Sequence, residues 1–378
     1  MIYVYSGLGP GKTGTGQLVK YIQGVSDSPN IKFLGNEPPH FWSLPWRIRN
    51  KLNRSLEKKI KEKNLAIIKD KKPDQLVLLH PQTLGFVYLK RVVEVSIRKK
   101  IRLKLYLLDN SYFCVRSYNF RNDKECIACI AEGPISAKKY NCQPFPDKSI
   151  SAFEFRKWFK EYVRKGHIEL FFQSQSQRKL AEKWFQMSFD KQYEVGMWTY
   201  DLEKSFQEVK NGISKTTNGF DFVFHGSQID AKGASWALEL AERMDEYSFF
   251  FPFNKPSEIA GLTNCVFKDM QWDSGLKEMV STARCTLVPS LWSAPVEGAL
   301  IKSIMYSSRV LALATKYGFA KEDFAPNLYL SSPNVSEAAT YCEQLLNKLP
   351  VPKEEDVFDW VNSFRSSNRI FFDKLVKH

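Results

Sequence analysis

The residues best placed for chemistry lie where an apolar run, Cys285 to Val288, stops at Pro289-Ser290 and an apolar-periodic helix is predicted to begin near Pro295. A strand, a loop and a helix start in that order leave backbone N–H groups unpaired. They also bring the positive end of a helix dipole to the carboxyl end of a strand, where open α/β sheets hold phosphorylated ligands. Ser290 falls in the loop, and Glu297 with Gly298 at the helix start, so the segment suits a nucleotide-linked substrate. Glu297 has two readings, a carboxylate that reaches a sugar hydroxyl or a simple helix cap. Two further polar residues close buried runs: His80 after Leu76 to Leu79, and Asp109 after Tyr106 to Leu108. Both are expected to face the crevice at the carboxyl edge of a sheet.

The elements that must position these residues alternate. Ile2 to Tyr5 reads as a strand, Gly16 to Gly24 as a helix, Leu76 to His80 as a strand, Pro81 to Ile97 as a helix and Leu103 to Leu108 as a strand. After a polar stretch around 210–219 the pattern restarts, with strands at 220–224, 249–251, 264–267 and 286–288 and helices at 231–244 and 274–283. Such alternation implies parallel sheets with crossover helices. The expected fold is α/β, with two Rossmann-like domains facing across a cleft: residues 1–210, residues 211–356, and a final amphipathic helix at 357–378 that crosses back onto the first domain.

At 378 residues and 43% hydrophobic, the chain is large and apolar enough to bury such a core, and disorder is excluded. No apolar stretch reaches the length of a membrane-spanning helix and no signal-peptide pattern opens the sequence, so a cytoplasmic location is expected. The net charge of +14 favours an anionic partner. Arg47, Arg49, Lys51, Arg54, Lys58, Lys59, Lys61 and Lys63 follow Phe41, Trp42, Leu44 and Trp46, so residues 41–63 read either as an interfacial segment on an anionic membrane or as a solvated helix packed by Ile48, Leu52, Leu56 and Ile60. A nucleic-acid partner is not expected, because no recognition motif accompanies the charge.

The second half resembles the group 1 family of retaining, nucleotide-sugar-dependent glycosyltransferases of GT-B architecture. The resemblance rests on Phe222-Val223-Phe224-His225-Gly226 with Lys232-Gly233, on Pro289-Ser290-Leu291-Trp292 followed by a helix and Arg309-Val310-Leu311-Ala312, and on Phe172 to Leu180 at the place of the last N-domain strand and helix. It implies transfer of a sugar from a nucleoside-diphosphate donor to a glycan acceptor, and the basic aromatic segment adds the expectation that this acceptor is lipid-linked, in surface polysaccharide assembly at the cytoplasmic membrane face. It also implies that Lys232 grips the diphosphate and that Gly226 and Ser227 line the donor site. With no protein nucleophile, retention would proceed by attack from the leaving group's own face, the phosphate assisting as base. In this setting His80 is expected to hydrogen-bond the donor sugar or the acceptor. Asp109 is the candidate to receive an acceptor proton, although a capping or salt-bridged aspartate fits its position equally.

Departures from the family pattern matter. The family usually has an arginine after the strand's glycine, where this chain has Ser227, and a gapless alignment puts Ala294 and Lys302 where its two glutamates stand. Lys302 is therefore read as a replacement cation on the diphosphate. The loss of both carboxylates also keeps open a noncatalytic nucleotide- or glycan-binding relative.

The loop from Ser6 to Gly16 holds five glycines between a strand and a helix, and Gly14 and Gly16 are its candidates for close approach to donor phosphates. Its Gly11-Lys12-Thr13 imitates the end of a P-loop, the mark of a nucleotidase or kinase, but Ser6 stands where that pattern needs glycine. Cys114, Cys126, Cys129 and Cys142 fall in one insertion-like segment, and the two-residue gap in Cys126-Ile127-Ala128-Cys129 suits a structural zinc ion; the other reading is four small buried hydrophobes. No cofactor is expected for catalysis.

Overall fold

The computed structural model describes residues 1–11, 13–25, 29–35, 46–143, 151–212, 218–257, 261–322 and 324–377. Its strands are β1 (Ile2–Ser6), β2 (Ile31–Gly35), β3 (Gln75–Leu79), β4 (Arg102–Tyr106), β5 (Phe120–Arg121), β6 (Lys124–Glu125), β7 (Glu169–Phe171), β8 (Phe222–Phe224), β9 (Phe249–Phe251), β10 (Cys265–Phe267), β11 (Cys285–Val288), β12 (Val310–Leu313) and β13 (Leu328–Ser331). Two all-parallel sheets result, one in the order β2-β1-β3-β4-β7 and one in the order β10-β9-β8-β11-β12-β13. A separate antiparallel hairpin joins β5 to β6. This is the expected two-lobed α/β architecture. In each sheet the winding reverses once, between β1 and β3 in the first and between β8 and β11 in the second. A reversal sends two crossovers to opposite faces and opens a crevice at the carboxyl ends of its two strands.

Period-two burial divides the first sheet. Tyr3, Tyr5, Leu76, Leu78, Leu103, Leu105 and Leu170 pack against the helices Trp46–Lys71, Phe86–Lys99, Ser151–Arg164 and Gln175–Phe185. The opposite face, with Val4, Val77, Leu79, Tyr106 and Phe171, packs against Leu18, Val19 and Ile22 of the helix Gly14–Val25. That second core continues without a break into Val223, Val288, Ile301 and Ile304 of the other lobe, so one apolar layer serves both.

The C-terminal helices Glu354–Asn368 and Phe371–Lys377 return to the first lobe. Phe371 stacks between Tyr21 and Tyr106, with ring centroids at 5.8 and 5.6 Å. The buried Lys104 of β4 donates to the carbonyls of Leu375 (2.9 Å) and Val376 (3.4 Å), placing a cation where the helix dipole is negative. Burial pushes its ammonium down to about 8.

Several local expectations are corrected. The helix read at 81–97 is two, Pro81–Leu84 and Phe86–Lys99, because Gly85 between them has φ +85°. The helix read from Pro295 starts at Gly298, because the chain from Pro289 to Val296 runs as loop. Residues 41–45 of the basic aromatic segment lie outside the described residues, as do 213–217 at the expected lobe boundary.

The helix Tyr200–Lys210 meets Glu354–Asn368 through a forked ion pair, Arg365 Nε and Nη2 donating to Glu203 at 3.0 and 2.6 Å. Burial opposes ionisation of Glu203, but hydrogen bonds from Arg365, Gln207 and Trp198 outweigh it and hold the carboxyl at about 2. A carboxyl depressed on folding stabilises the fold above its unfolded pKa, and this contribution is lost as pH falls from about 4.5 towards about 2. Urea titrations at about pH 6 and about pH 3 are expected to show Glu203→Gln losing about 1–2 kcal/mol less stability on acidification than the parent protein. Equal losses would mean that this pair contributes nothing to acid sensitivity.

Candidate functional site

The crevice of the second lobe is built from the segments that leave β8 and β11. After β8 the chain runs through His225, Gly226 and the exposed Ser227 into the short 3-10 turn Asp230–Lys232. Gly233 then opens the helix Ala234–Arg243 with φ +79°, and a Cβ there would lie 2.1 Å from the carbonyl oxygen of Pro289. Only glycine permits both the left-handed turn and this close approach, so the Lys-Gly pair is pinned against the loop after β11. From that loop come the buried Ser290 and Trp292, and then Glu297, the residue that precedes the helix Gly298–Tyr306.

Lys232 and Glu297 meet in a direct ion pair whose side chains are 21% and 11% exposed. The ammonium also stands 5.0 Å from the Trp292 ring centre and 5.5 Å from that of Tyr118, and the two rings meet edge to face at 4.6 Å. A half-buried cation held by one carboxylate and two aromatic faces is a site for an anion that can take over the carboxylate's place. Beneath it lies a narrow crevice lined by Ser290, Trp292, Glu297, Thr315 and Gly318. Gly298, with open space where its Cβ would be, supplies the helix start.

The first lobe's crevice, after β1 and β3, holds the other candidates. His80 has φ +55°, a left-handed conformation that costs a non-glycine residue about 1–3 kcal/mol, and its carbonyl is held by the N–H and hydroxyl of Thr83. Its Nε2 lies 3.5 Å from Asp109 Oδ2, while Asp109 Oδ1 accepts from the N–H of Ser111 at 2.9 Å. Asp109 is therefore paired and caps a turn, one of the two roles its position allowed. In the glycine loop, Gly7 packs on the Thr83 backbone and Gly16 on that of Gly11, while the Gly16 N–H bonds to Thr13 Oγ1. Gly16 is thus committed to packing and capping, whereas Gly14 faces open space. Lys12, on which a P-loop would depend, lies outside the described residues.

A buried junction that the sequence did not disclose ties the lobes together beside Lys232. Asn110 Nδ2 donates to Asn119 Oδ1 (2.8 Å) and to the carbonyl of Ser293 (2.9 Å). Asn119 donates to Ser293 Oγ (2.7 Å) and accepts from the Ser293 N–H (3.1 Å). Glu125 at the end of the hairpin accepts from the Ser293 hydroxyl and from the N–H groups of Lys316 (2.9 Å) and Tyr317 (3.0 Å). Phe120 of the hairpin sits in the second lobe's core and Tyr317 of the second lobe in the first lobe's core, a reciprocal exchange of aromatic rings. Across the same seam, Glu322 accepts from the N–H groups of Gln175 and Ser176 at the start of the helix Gln175–Phe185.

Two expectations fail here. Lys302 bonds to Asp201 of the helix Tyr200–Lys210 at 3.1 Å and lies 4.7 Å over Trp272, so it serves the packing of two helices and does not join Lys232. Beside it the buried His225 stacks on Trp272 at 4.9 Å and hydrogen-bonds Ser303; burial, and next Lys302, push its imidazole well below the usual histidine range. Nor do Cys114, Cys126, Cys129 and Cys142 assemble as zinc ligands: among the described residues no group of three or more His, Cys, Asp or Glu side chains is arranged to hold a metal ion. Burial raises the thiols of Cys114 to about 12 and of Cys129 to about 11. Tyr118, Asn119, Glu125 and Ser293 were missed by sequence reasoning; Trp292 was noticed only as part of a motif.

No protein-family model matches the chain, and neither does any curated protein. Solved structures do match its fold. Alr3699/HepE from Anabaena, in complex with UDP, superposes over 100% of both chains at 11% identity with a TM-score of 0.52. A sucrose-phosphate synthase from Thermosynechococcus elongatus covers 100% of this chain and 98% of its own at 9% identity and a TM-score of 0.61. WaaG, a glycosyltransferase involved in lipopolysaccharide biosynthesis, covers 97% and 95% at 13% identity and a TM-score of 0.50. These likenesses are to proteins of the GT-B fold, the architecture that the two sheets display.

The junction generates a stability prediction. Asn119→Ala and Ser293→Ala are each expected to lower the unfolding free energy by about 1–3 kcal/mol, and the double variant by at least about 1 kcal/mol less than their sum, measured by urea denaturation. Strictly additive losses would show that the two residues do not act as a unit. Gly233→Ala is expected to cost more than about 2 kcal/mol in the same assay, because neither the left-handed turn nor the Pro289 carbonyl can accommodate a methyl group.

Proposed function

We propose that this chain is a glycosyltransferase of the group 1 type, moving a sugar from a nucleoside-diphosphate donor to a glycan acceptor. The observation that carries the reading is the Lys232–Glu297 pair at the winding reversal between β8 and β11. Breaking a sugar–phosphate bond leaves added negative charge on the diphosphate, and a fixed cation beside a helix start stabilises that charge as it develops. Lys232 exchanges its carboxylate partner for the diphosphate. Glu297, freed on the same wall, accepts a hydrogen bond from a sugar hydroxyl. His80 and Asp109 lie on the acceptor-side lobe; with Nδ1 buried, His80 reaches the donor sugar or the acceptor through Nε2, 3.5 Å from Asp109. Transfer with retention, the phosphate assisting as base, accords with this division because no carboxylate of the second-lobe crevice other than Glu297 is called upon.

HepE is described with bound UDP and WaaG with lipopolysaccharide biosynthesis, which supports a nucleotide-sugar donor and an acceptor glycan of surface polysaccharide assembly, lipid-linked and reached from the cytoplasmic membrane face. Peripheral membrane attachment through residues 41–63 belongs to the same reading. The commitment of Lys302 to Asp201, together with the missing family glutamates, favours one other reading, a nucleotide-binding relative without turnover.

A thermal-shift screen of UDP, GDP, dTDP and CDP is expected to raise the melting midpoint with at least one of them, and the matching nucleotide sugar to be consumed with a tagged oligosaccharide. Lys232→Ala is expected to lower kcat/KM by about 10²–10³-fold, while the exposed control Lys348→Ala leaves it unchanged. Binding without consumption would establish the noncatalytic reading, and no binding to any of the four would end both.

A further inference from the structure

The positive charge of the molecule is concentrated in one layer. The helices Trp46–Lys71, Phe86–Lys99 and Ser151–Arg164, which cover the same face of the first sheet, carry eighteen Lys and Arg against six Asp and Glu. Their surplus of twelve compares with +14 for the whole chain, so everything outside these helices is close to neutral. Most of the described cations on this layer, including Lys58, Lys59, Lys63, Lys69, Lys90, Arg98 and Arg164, are exposed.

Between the first two of these helices runs a groove of about 1040 Å³, open solvent included. Leu65, Ala66 and Val95 line it, and Lys69, Glu94, Arg98 and Lys99 stand in its wall, with Arg98 Nε donating to the carbonyl of Glu94 at 3.3 Å. Arg91 and Glu62 bridge the helices across the groove in a forked, half-exposed pair at 2.5 and 2.9 Å. Lys69, Arg98 and Lys99 have no carboxylate partner within ion-pair distance among the described residues. Their charge is unspent within the fold.

We propose that this basic helical layer is the face that docks on an anionic phospholipid bilayer, with the groove between Trp46–Lys71 and Phe86–Lys99 receiving a phosphate-bearing headgroup. The inference rests on the proposed membrane association and relocates its centre from residues 41–63 to residues 62–99. Charge complementarity argues for the occupant: each Lys or Arg near an anionic leaflet adds about 1 kcal/mol of attraction. Of the apolar lining Ala66 is exposed while Leu65 and Val95 are already buried, so the glycerol and first methylenes of a headgroup would cover Ala66 and the stems of Lys69, Arg98 and Lys99. Among the described residues no helix is long and apolar enough to cross a membrane, so attachment is by this face and is reversible.

Co-sedimentation of the full chain with phosphatidylcholine vesicles, with and without phosphatidylglycerol, tests the proposal. The anionic vesicles are expected to bind at least about tenfold more protein, and high salt to abolish the difference. Lys69→Glu combined with Arg98→Glu is expected to reduce that binding by at least about fivefold, while Lys348→Glu with Lys353→Glu on the other lobe changes it less than about twofold. The UDP-induced thermal shift is expected to be the same in both double variants, so failure of the donor reading leaves this test intact. If binding survives Lys69→Glu with Arg98→Glu but is lost in Lys58→Glu with Lys59→Glu, the groove is wrong and only the 41–63 attachment stands. Equal binding to both vesicle types, or tighter binding to a DNA duplex than to anionic vesicles, overturns the proposal outright.

Discussion

Ser293 cannot satisfy its own N–H, hydroxyl and carbonyl within the lobe that carries it. All three reach across the seam, to Asn119, Glu125 and Asn110. Leaving such buried polar groups unpaired costs more than the net value of the bonds they form, so the lobes are held together less by attraction than by the penalty for parting. Glu125 adds the same constraint to the loop that bears Thr315 and Gly318, because the N–H groups of Lys316 and Tyr317 point to it. Every feature of the candidate site that spans the seam depends on this junction staying whole.

The consequence for chemistry is that Lys232 is enclosed by groups from both lobes. Glu297 and Trp292 come from its own lobe and Tyr118 from the other. An ammonium paired to a carboxylate is electrically quiet, and it becomes useful only when a stronger anion displaces that partner. On the proposed reading a diphosphate, which carries more charge than Glu297, brings a sugar whose hydroxyls satisfy the released carboxylate, so the exchange leaves neither group stranded. Tyr118 and Trp292 set their ring faces beside the Lys232 ammonium, whose side chain stays 21% exposed.

How much of this was legible depends on range. The strands at the winding reversals were readable because β1, β3, β8 and β11 are short apolar runs that end abruptly at serine, histidine or proline, and the same endings put His80, Ser290 and Glu297 at the crevices. The break at Gly85 was hidden because an apolar-periodic pattern runs through it, and only the φ of +85° marks it. The hairpin Phe120–Glu125 was illegible because its strands are two residues each, too short for any period to register. The junction is a pairing of residues 174 positions apart, and nothing local to Asn119 or Ser293 announces it. The cysteine spacing misled for a related reason: a two-residue gap between cysteines says what could ligate, not where the backbone carries the thiols.

Lys302 shows where the argument from spacing ends. Eight residues after Ala294 it occupies a position that a gapless alignment assigns to the donor site, yet Gly298 starts the helix three residues later than the sequence suggested, and the side chain emerges towards Asp201 and Trp272. There it closes a second contact between lobes, beside the Arg365–Glu203 pair that fastens the C-terminal helix to the first lobe. The separation has a use. The lobes are joined by Lys302–Asp201 on one side and by Ser293 on the other, so the contact of Lys232 with the Tyr118 ring is a minor part of what holds them together. Lys232 can therefore exchange its Glu297 partner, as the proposed transfer needs, while those junctions stay whole.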